Sequence, residues 1–220
     1  MLCYITDRRG LGGARLLPRI QAGIDSRIDL IQVREKDLET RPLLERVQAT
    51  VALACGSESR VVINDRLDVA LATGAHGVHL GGQSMSFEAV RRAVPPNFWI
   101  GVSCHSAEEV WVAEQAGADY AFLGPIFDTE SKRVYGPPLG LGVLERAARG
   151  VSRMPVLALG GITIARAVEC MAAGAAGIAG ISIFQQCDSV SERVKALRRE
   201  LTAGTLRPNG LSERQSEDSR

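Results

Sequence analysis

Three side chains spaced two residues apart, Gln32, Arg34 and Lys36, follow an apolar start at Leu30-Ile31. In an extended strand, residues i, i+2 and i+4 share one face. The stretch from Leu30 to Asp37 reads as such a strand, so an amide, a guanidinium fork and an ammonium would point together at its C-terminal end. That set suits a polyanionic, partly heteroaromatic ligand such as a nucleotide-like diphosphate. The competing reading is an exposed strand end whose charges are only solvated.

The elements that would position these groups alternate along the chain. Apolar, β-rich runs occur at 2–6, 28–34, 60–64, 76–80, 98–103, 119–123, 154–159 and 176–181. Helix-like segments lie between them at 13–24, 40–55, 66–73, 86–94, 106–117, 140–149 and 163–173, and a last one at about 188–203 follows the eighth strand. Ser106 and Thr163 stand where helix N-caps are wanted. Gly56, Gly74, Gly117, Gly150 and Gly174 each lie just past an apolar periodic stretch. Eight strands alternating with eight helices predict parallel pairing and an α/β fold, a single (β/α)8 barrel over 1–203. A doubly wound open sheet would also alternate, but no G-x-G-x-x-G follows the first strand. Residues 204–220 lose apolar periodicity and read as a short disordered tail.

In a barrel, the working face lies where strands end. Gln32, Arg34 and Lys36 end the second strand; Asn64-Asp65 the third; His79-Leu80-Gly81-Gly82-Gln83-Ser84 the fourth; Ser103-Cys104-His105 the fifth. The sixth runs into Gly124-Pro125-Ile126-Phe127-Asp128-Thr129-Glu130-Ser131-Lys132, the seventh ends at Gly160-Gly161-Ile162 and the eighth at Gly180-Ile181-Ser182. Nearly every chemically capable group in the strand-like segments falls at this rim. The glycine-bearing turns after the seventh and eighth strands predict a backbone N–H cradle for phosphate, although Gly160, Gly161 and Gly180 also suit ordinary turns.

Composition narrows the classes. Twenty-six basic and 25 acidic residues leave a net charge of +1, so the chain as a whole has no bias toward nucleic acid or an anionic membrane. No apolar stretch approaches a membrane span, and the start, Met1 to Asp7, reads as a strand and not a secretory signal. Five scattered cysteines without CxxC spacing read as reduced thiols of a cytoplasmic protein. Apolar stretches on the last helices would allow a homodimer, without a residue set to define it.

The ordered set Gln32-x-Arg34-x-Lys36, Asn64-Asp65, Gly77-Val78-His79-Leu80-Gly81, Gly101-Val102-Ser103, Gly124-Pro125-Ile126-Phe127 with Thr129-x-Ser131-Lys132, and Gly160-Gly161-Ile162 resembles the thiamine phosphate synthase / TenI-type thiazole tautomerase family. The resemblance runs from Thr6-Asp7 to Ser182. In its synthase form it implies condensation of hydroxymethylpyrimidine diphosphate with a thiazole phosphate, giving thiamine phosphate and pyrophosphate. It implies that Gln32, Arg34, Lys36 and Asn64 hold the pyrimidine diphosphate, with Ser103 at the pyrimidine and Lys132 at the pyrophosphate. Thr129, Ser131, Gly161, Ile181 and Ser182 would hold the thiazole phosphate. Asp65 would ligate Mg²⁺. Pyrophosphate loss leaves a cation-like pyrimidine methylene, so cationic groups and Mg²⁺ on the leaving group would carry the catalysis.

One position departs from the pattern. Ser84 stands where the family's synthases carry a second metal-binding aspartate, and a hard cation prefers more anionic oxygen than Asp65 supplies. That favours the tautomerase form, which aromatises a carboxythiazole phosphate by proton transfer and needs a general acid/base. His105 resembles the tautomerase histidine in position, but synthases also carry one there, and it also suits a helix start. Retention of Gln32, Arg34 and Lys36 argues for the synthase. His79 reads as a buried, hydrogen-bonded barrel residue and His76 as a surface one. A non-catalytic thiamine- or phosphate-binding regulator stays open as a third class. A Schiff-base aldolase is disfavoured, because Lys36, Lys132 and Lys195 fall at a strand end, in a loop and in the last helix.

Overall fold

The computed structural model describes residues 1–11, 15–129 and 137–205. Eight strands, β1 (Leu2–Ile5), β2 (Leu30–Val33), β3 (Arg60–Asn64), β4 (Gly77–Leu80), β5 (Trp99–Cys104), β6 (Tyr120–Leu123), β7 (Val156–Leu159) and β8 (Gly177–Gly180), close into a barrel in sequence order. Every neighbouring pair is parallel, including β1 with β8. All eight C-terminal ends therefore share one rim.

These strands are short aliphatic runs because both of their faces are covered. One face packs under the helices through residues such as Tyr4, Ile31, Val61, Ile63, Val78 and Ile100. The other fills the barrel interior with Cys3, Ile5, Leu30, Val62, Tyr120, Phe122, Leu157 and Ala179. The outer layer comprises α2 (Leu16–Asp25), α3 (Thr40–Ala54), α4 (Leu67–Thr73), α5 (Phe87–Ala93), α6 (Ala107–Ala116), α7 (Gly140–Arg149), α8 (Ile164–Ala172) and α10 (Val190–Thr205). On α3, Leu43, Val47, Thr50 and Ala54 form the buried stripe, at the spacing expected of an amphipathic helix. Ser106 and Thr163 do cap α6 and α8, each hydroxyl accepting the N–H three residues on, from Glu109 and Arg166.

Four expectations are corrected. The strand from Leu30 does not run on to Lys36 but ends at Val33. Two four-residue helices also appear, α1 (Arg8–Leu11) and α9 (Ser182–Gln185), where the spacing predicts a single helix over 13–24 and none before 188. His76 is half-buried rather than on the surface, its Nδ1 accepting the Val61 N–H at 3.0 Å. The last helix reaches Thr205, two residues beyond the boundary expected at 203. The rest of the expected tail, 206–220, lies outside the described residues.

Candidate active site

The rim begins with Gln32, an almost fully buried amide on β2 whose Nε2 donates to Asn64 Oδ1 on the adjoining β3 at 3.3 Å. Strand pairing makes this contact available, since β2 and β3 run parallel in register. Arg34 and Lys36 follow on the loop, half-buried and exposed respectively, and between them Glu35 turns inward. The Glu35 carboxylate accepts the Thr6 hydroxyl at 2.6 Å and the Arg8 N–H at 3.0 and 3.2 Å. Thr6 Oγ1 in turn accepts the Arg34 N–H at 3.0 Å, and the Arg8 guanidinium pairs with Asp37. These contacts draw Glu35 inward against Thr6 and Arg8, just past β1, and Arg34 and Lys36 flank it on the loop. The two cationic groups make no hydrogen bond or ion pair among the described residues, and so remain available to an anion. Burial pushes the Glu35 carboxyl upward, and its bonds to Thr6 and Arg8 oppose that rise. Thr6, Arg8 and Glu35 were not expected from sequence; the visible signal was an acid placed at the odd position between two bases.

Asp65 is exposed and stands in the left-handed region at φ +69°, an uncommon place for a residue other than glycine. The turn is stitched by the Asp65 N–H to the His79 carbonyl at 2.9 Å. Ser84, by contrast, uses its hydroxyl locally: Oγ accepts the Gly81 N–H at 2.8 Å and closes the turn after β4. No cluster of three or more His, Cys, Asp or Glu residues suited to a metal exists among the described residues. Asp65 alone fits a magnesium ion only as one ligand among oxygens brought by a substrate.

Ser103, half-buried on β5, places Oγ 2.9 Å from His79 Nε2. His79 is 2 % exposed, and burial pushes its pKa down to about 3. Since an unfolded chain would protonate this ring near the usual 6.5, the folded state binds fewer protons below that pH. The sign is therefore loss of stability on acidification, at about 1.4 kcal/mol for each pH unit below 6.5 from this group alone. Urea unfolding at pH 6.5 and pH 5 should show His79→Gln losing roughly 2 kcal/mol less than the parent over that interval; equal losses would mean that the ring is not buried neutral.

His105 sits just past β5, exposed, with Nδ1 2.6 Å from the Gly124 carbonyl oxygen. A carbonyl only accepts, so Nδ1 carries a proton in this contact, and Nε2 has no partner among the described residues. The His105 N–H donates to Glu109 Oε2 at 2.6 Å, fixing the residue at the start of α6.

The loops after β6 and β7 interlock. Gly160 and Gly161 have φ of +99° and +65°; a Cβ on Gly160 would come within 2.7 Å of Pro125 Cα, and one on Gly161 within 2.8 Å of the Asp128 carbonyl oxygen. The glycines are thus required first by packing against the β6 loop. Arg166, also not anticipated, donates to the Gly161 carbonyl at 2.8 Å and lies over the Phe127 ring at 4.6 Å. Thr129 lies on this loop, half-buried, and Ile181 and Ser182 follow β8 at the same rim. Ser131 and Lys132 fall outside the described residues.

Comparison with known proteins bears on the chain as a whole. The family model described as thiamine monophosphate synthase (TMP-TENI) matches residues 2–184. A protein of Geobacter sulfurreducens named putative thiamine-phosphate synthase is 41% identical over 196 residues, 89% of this chain and 92% of that one. The thiamine-phosphate synthase of Roseiflexus castenholzii is 40% identical, covering 81% of this chain and 78% of that one. Among solved structures, thiamine phosphate pyrophosphorylase from Pyrococcus furiosus superposes with a TM-score of 0.82 at 32% identity, covering 92% of this chain and 96% of that one.

Proposed function

Because the chain belongs to the thiamine monophosphate synthase (TMP-TENI) family, we propose that it is a transferase that joins hydroxymethylpyrimidine diphosphate to a thiazole phosphate, releasing pyrophosphate. The observation that carries this reading is the pair of cationic side chains, Arg34 and Lys36, presented beside Gln32 and Asn64 with no partner of their own among the described residues. A diphosphate satisfies both charges, and the two amides suit the polar edge of a pyrimidine. Ser103 meets the pyrimidine from β5. Thr129, Gly161, Ile181 and Ser182 receive the thiazole phosphate at the mouth; the family resemblance adds Ser131, which lies outside the described residues. Lys132 adds a cation to the leaving group.

The chemistry asks the protein for orientation and charge. As the C–O bond to pyrophosphate breaks, negative charge grows on the leaving oxygens, where Arg34, Lys36 and Lys132 stabilise it. Gln32, Asn64 and Ser103 keep the pyrimidine methylene aimed at the thiazole nitrogen. Asp65 would hold a Mg²⁺ that arrives with the diphosphate, and the ion would neutralise further charge there. The five cysteines are all free thiols, which suits a reducing cytoplasmic compartment. Among the described residues no helix is long and apolar enough to cross a membrane.

The deciding experiment incubates the purified protein with both substrates and Mg²⁺ and separates the products by chromatography. Thiamine phosphate is expected; its absence with a folded protein would sink the synthase reading. The Nε2 of His105, without a partner among the described residues, supports one second reading, a thiazole tautomerase, so a parallel reaction receives the carboxythiazole phosphate tautomer alone. The altered metal site gives a further prediction. Ser84→Asp supplies the carboxylate that the turn after β4 lacks, and should lower the Mg²⁺ concentration needed for half-maximal turnover. A Mg²⁺ dependence matching the parent's would show that the ion does not visit this turn.

A further inference from the structure

Inside the barrel, a polar chain runs beneath the proposed pyrimidine site. His79 on β4 reaches across β5: its Nδ1 lies 3.1 Å from the Tyr120 hydroxyl on β6, and its Nε2 2.9 Å from Ser103 Oγ. The imidazole stacks on Phe122, with ring centroids 4.2 Å apart. Gly101 makes the crossing possible. It is in register with both His79 and Tyr120, and a Cβ there would come within 2.0 Å of the phenol ring and 2.4 Å of its oxygen. The glycine of the Gly101-Val102-Ser103 motif thus gives its side-chain space to the Tyr120 hydroxyl.

Counting protons gives this chain a direction. Tyr120 is fully buried and burial holds its phenol protonated, while burial keeps His79 neutral, with one ring proton. The imidazole is the one hydrogen-bond partner of the Tyr120 hydroxyl among the described residues. A buried O–H without an acceptor is costlier than an unused lone pair. Tyr120 therefore donates to Nδ1, the ring proton sits on Nε2, and Nε2–H donates to Ser103 Oγ. Having accepted there, Ser103 turns its own hydrogen toward the barrel mouth.

We propose that Tyr120 and His79 are positioning residues that fix Ser103 as an obligate hydrogen-bond donor, so that the substrate atom it selects is a lone-pair acceptor such as a heteroaromatic ring nitrogen, and not an amino group. The same arrangement denies Ser103 a general base, so it does not act as a nucleophile. The identity of the substrate rests on the function proposed above; the polarity of the chain does not.

Two measurements test it. Nitrogen-15 NMR of histidine-labelled, ligand-free protein at pH 7 should show His79 protonated on Nε2 alone, its signals identified by their loss in His79→Gln. A proton on Nδ1, or on both nitrogens, would overturn the proposal. The second is a double-mutant cycle on the coupling reaction. Tyr120→Phe keeps the ring and removes the donor, and should lower kcat/KM for the pyrimidine diphosphate about tenfold, mainly through KM, with KM for the thiazole phosphate unchanged. Ser103→Ala should lose at least as much, and the double variant no more than Ser103→Ala alone. Independent, multiplicative losses would show that Tyr120 acts only through packing and overturn the positioning role. A parent protein without synthase turnover would defeat the substrate assignment, and the nitrogen signals would still decide the polarity.

Discussion

A His105→Asn variant should make thiamine phosphate within about an order of magnitude of the parent's rate, while any tautomerase turnover falls by at least 10²-fold. The expectation follows from how the ring is held. The Gly124 carbonyl accepts a hydrogen bond from Nδ1–H, which leaves Nε2, without a partner among the described residues, to move a proton at the mouth. Asparagine offers a polar group of similar reach without an ionisation near neutral pH. A positioned acid/base contributes typically 10²–10⁴-fold to a proton-transfer step. In the proposed mechanism, coupling with pyrophosphate loss depends instead on charge at the leaving group, which Arg34, Lys36 and Lys132 would supply. Both rates are read on the same preparation, with coupled substrates in one assay and the carboxythiazole phosphate alone in the other. Collapse of both activities would mean that His105 serves the two reactions, and the separation of roles would be wrong.

Arg34→Ala should weaken pyrophosphate binding by roughly 10- to 100-fold, the equivalent of losing a charge-assisted contact of about 1.5–3 kcal/mol. The guanidinium has no partner among the described residues, and the Arg34 N–H that anchors the loop on Thr6 survives the substitution. The loss should therefore appear in affinity and not in stability, with unfolding free energy within about 0.5 kcal/mol of the parent's. Lys132→Ala should lose a similar amount. Calorimetric titration with pyrophosphate is the measurement, and unchanged affinity in both variants would rule out the pocket.

The barrel was legible because aliphatic runs buried on both faces, such as Val61-Val62-Ile63, recur at a spacing that parallel strands demand. The rim followed from the strand ends alone. What stayed hidden depends on contacts distant in sequence or on elements too short to show a period. Alternation continues unbroken through Arg34 and Lys36, and β2 stops because Thr6 and Arg8, 27 to 29 residues earlier, draw Glu35 under the loop. Helices of four residues, α1 and α9, have no room for an amphipathic stripe. The Tyr120–His79–Ser103 chain needs the registers of three strands at once, and its one local trace was a glycine at the interior-facing position of β5.

The interior of the barrel changes character within a single layer of side chains. On β2, Gln32 stands directly above Leu30; on β3, Asn64 stands above Val62; on β5, Ser103 stands above the space that Tyr120 fills in place of a Gly101 side chain. A two-residue step along a strand spans about 6.6 Å, so the rim that carries Gln32, Asn64 and Ser103 and the mainly apolar floor below it are one side-chain layer apart. Such a boundary acts as a polarity ruler. A flat heteroaromatic ring can settle onto the floor only with its charged substituents left above it, where Arg34 and Lys36 wait, because lowering a phosphate by one layer would strip its hydration without offering a cation. A diphosphate-bearing ring of the proposed kind would therefore bind ring down, its orientation set by this boundary together with Arg34 and Lys36.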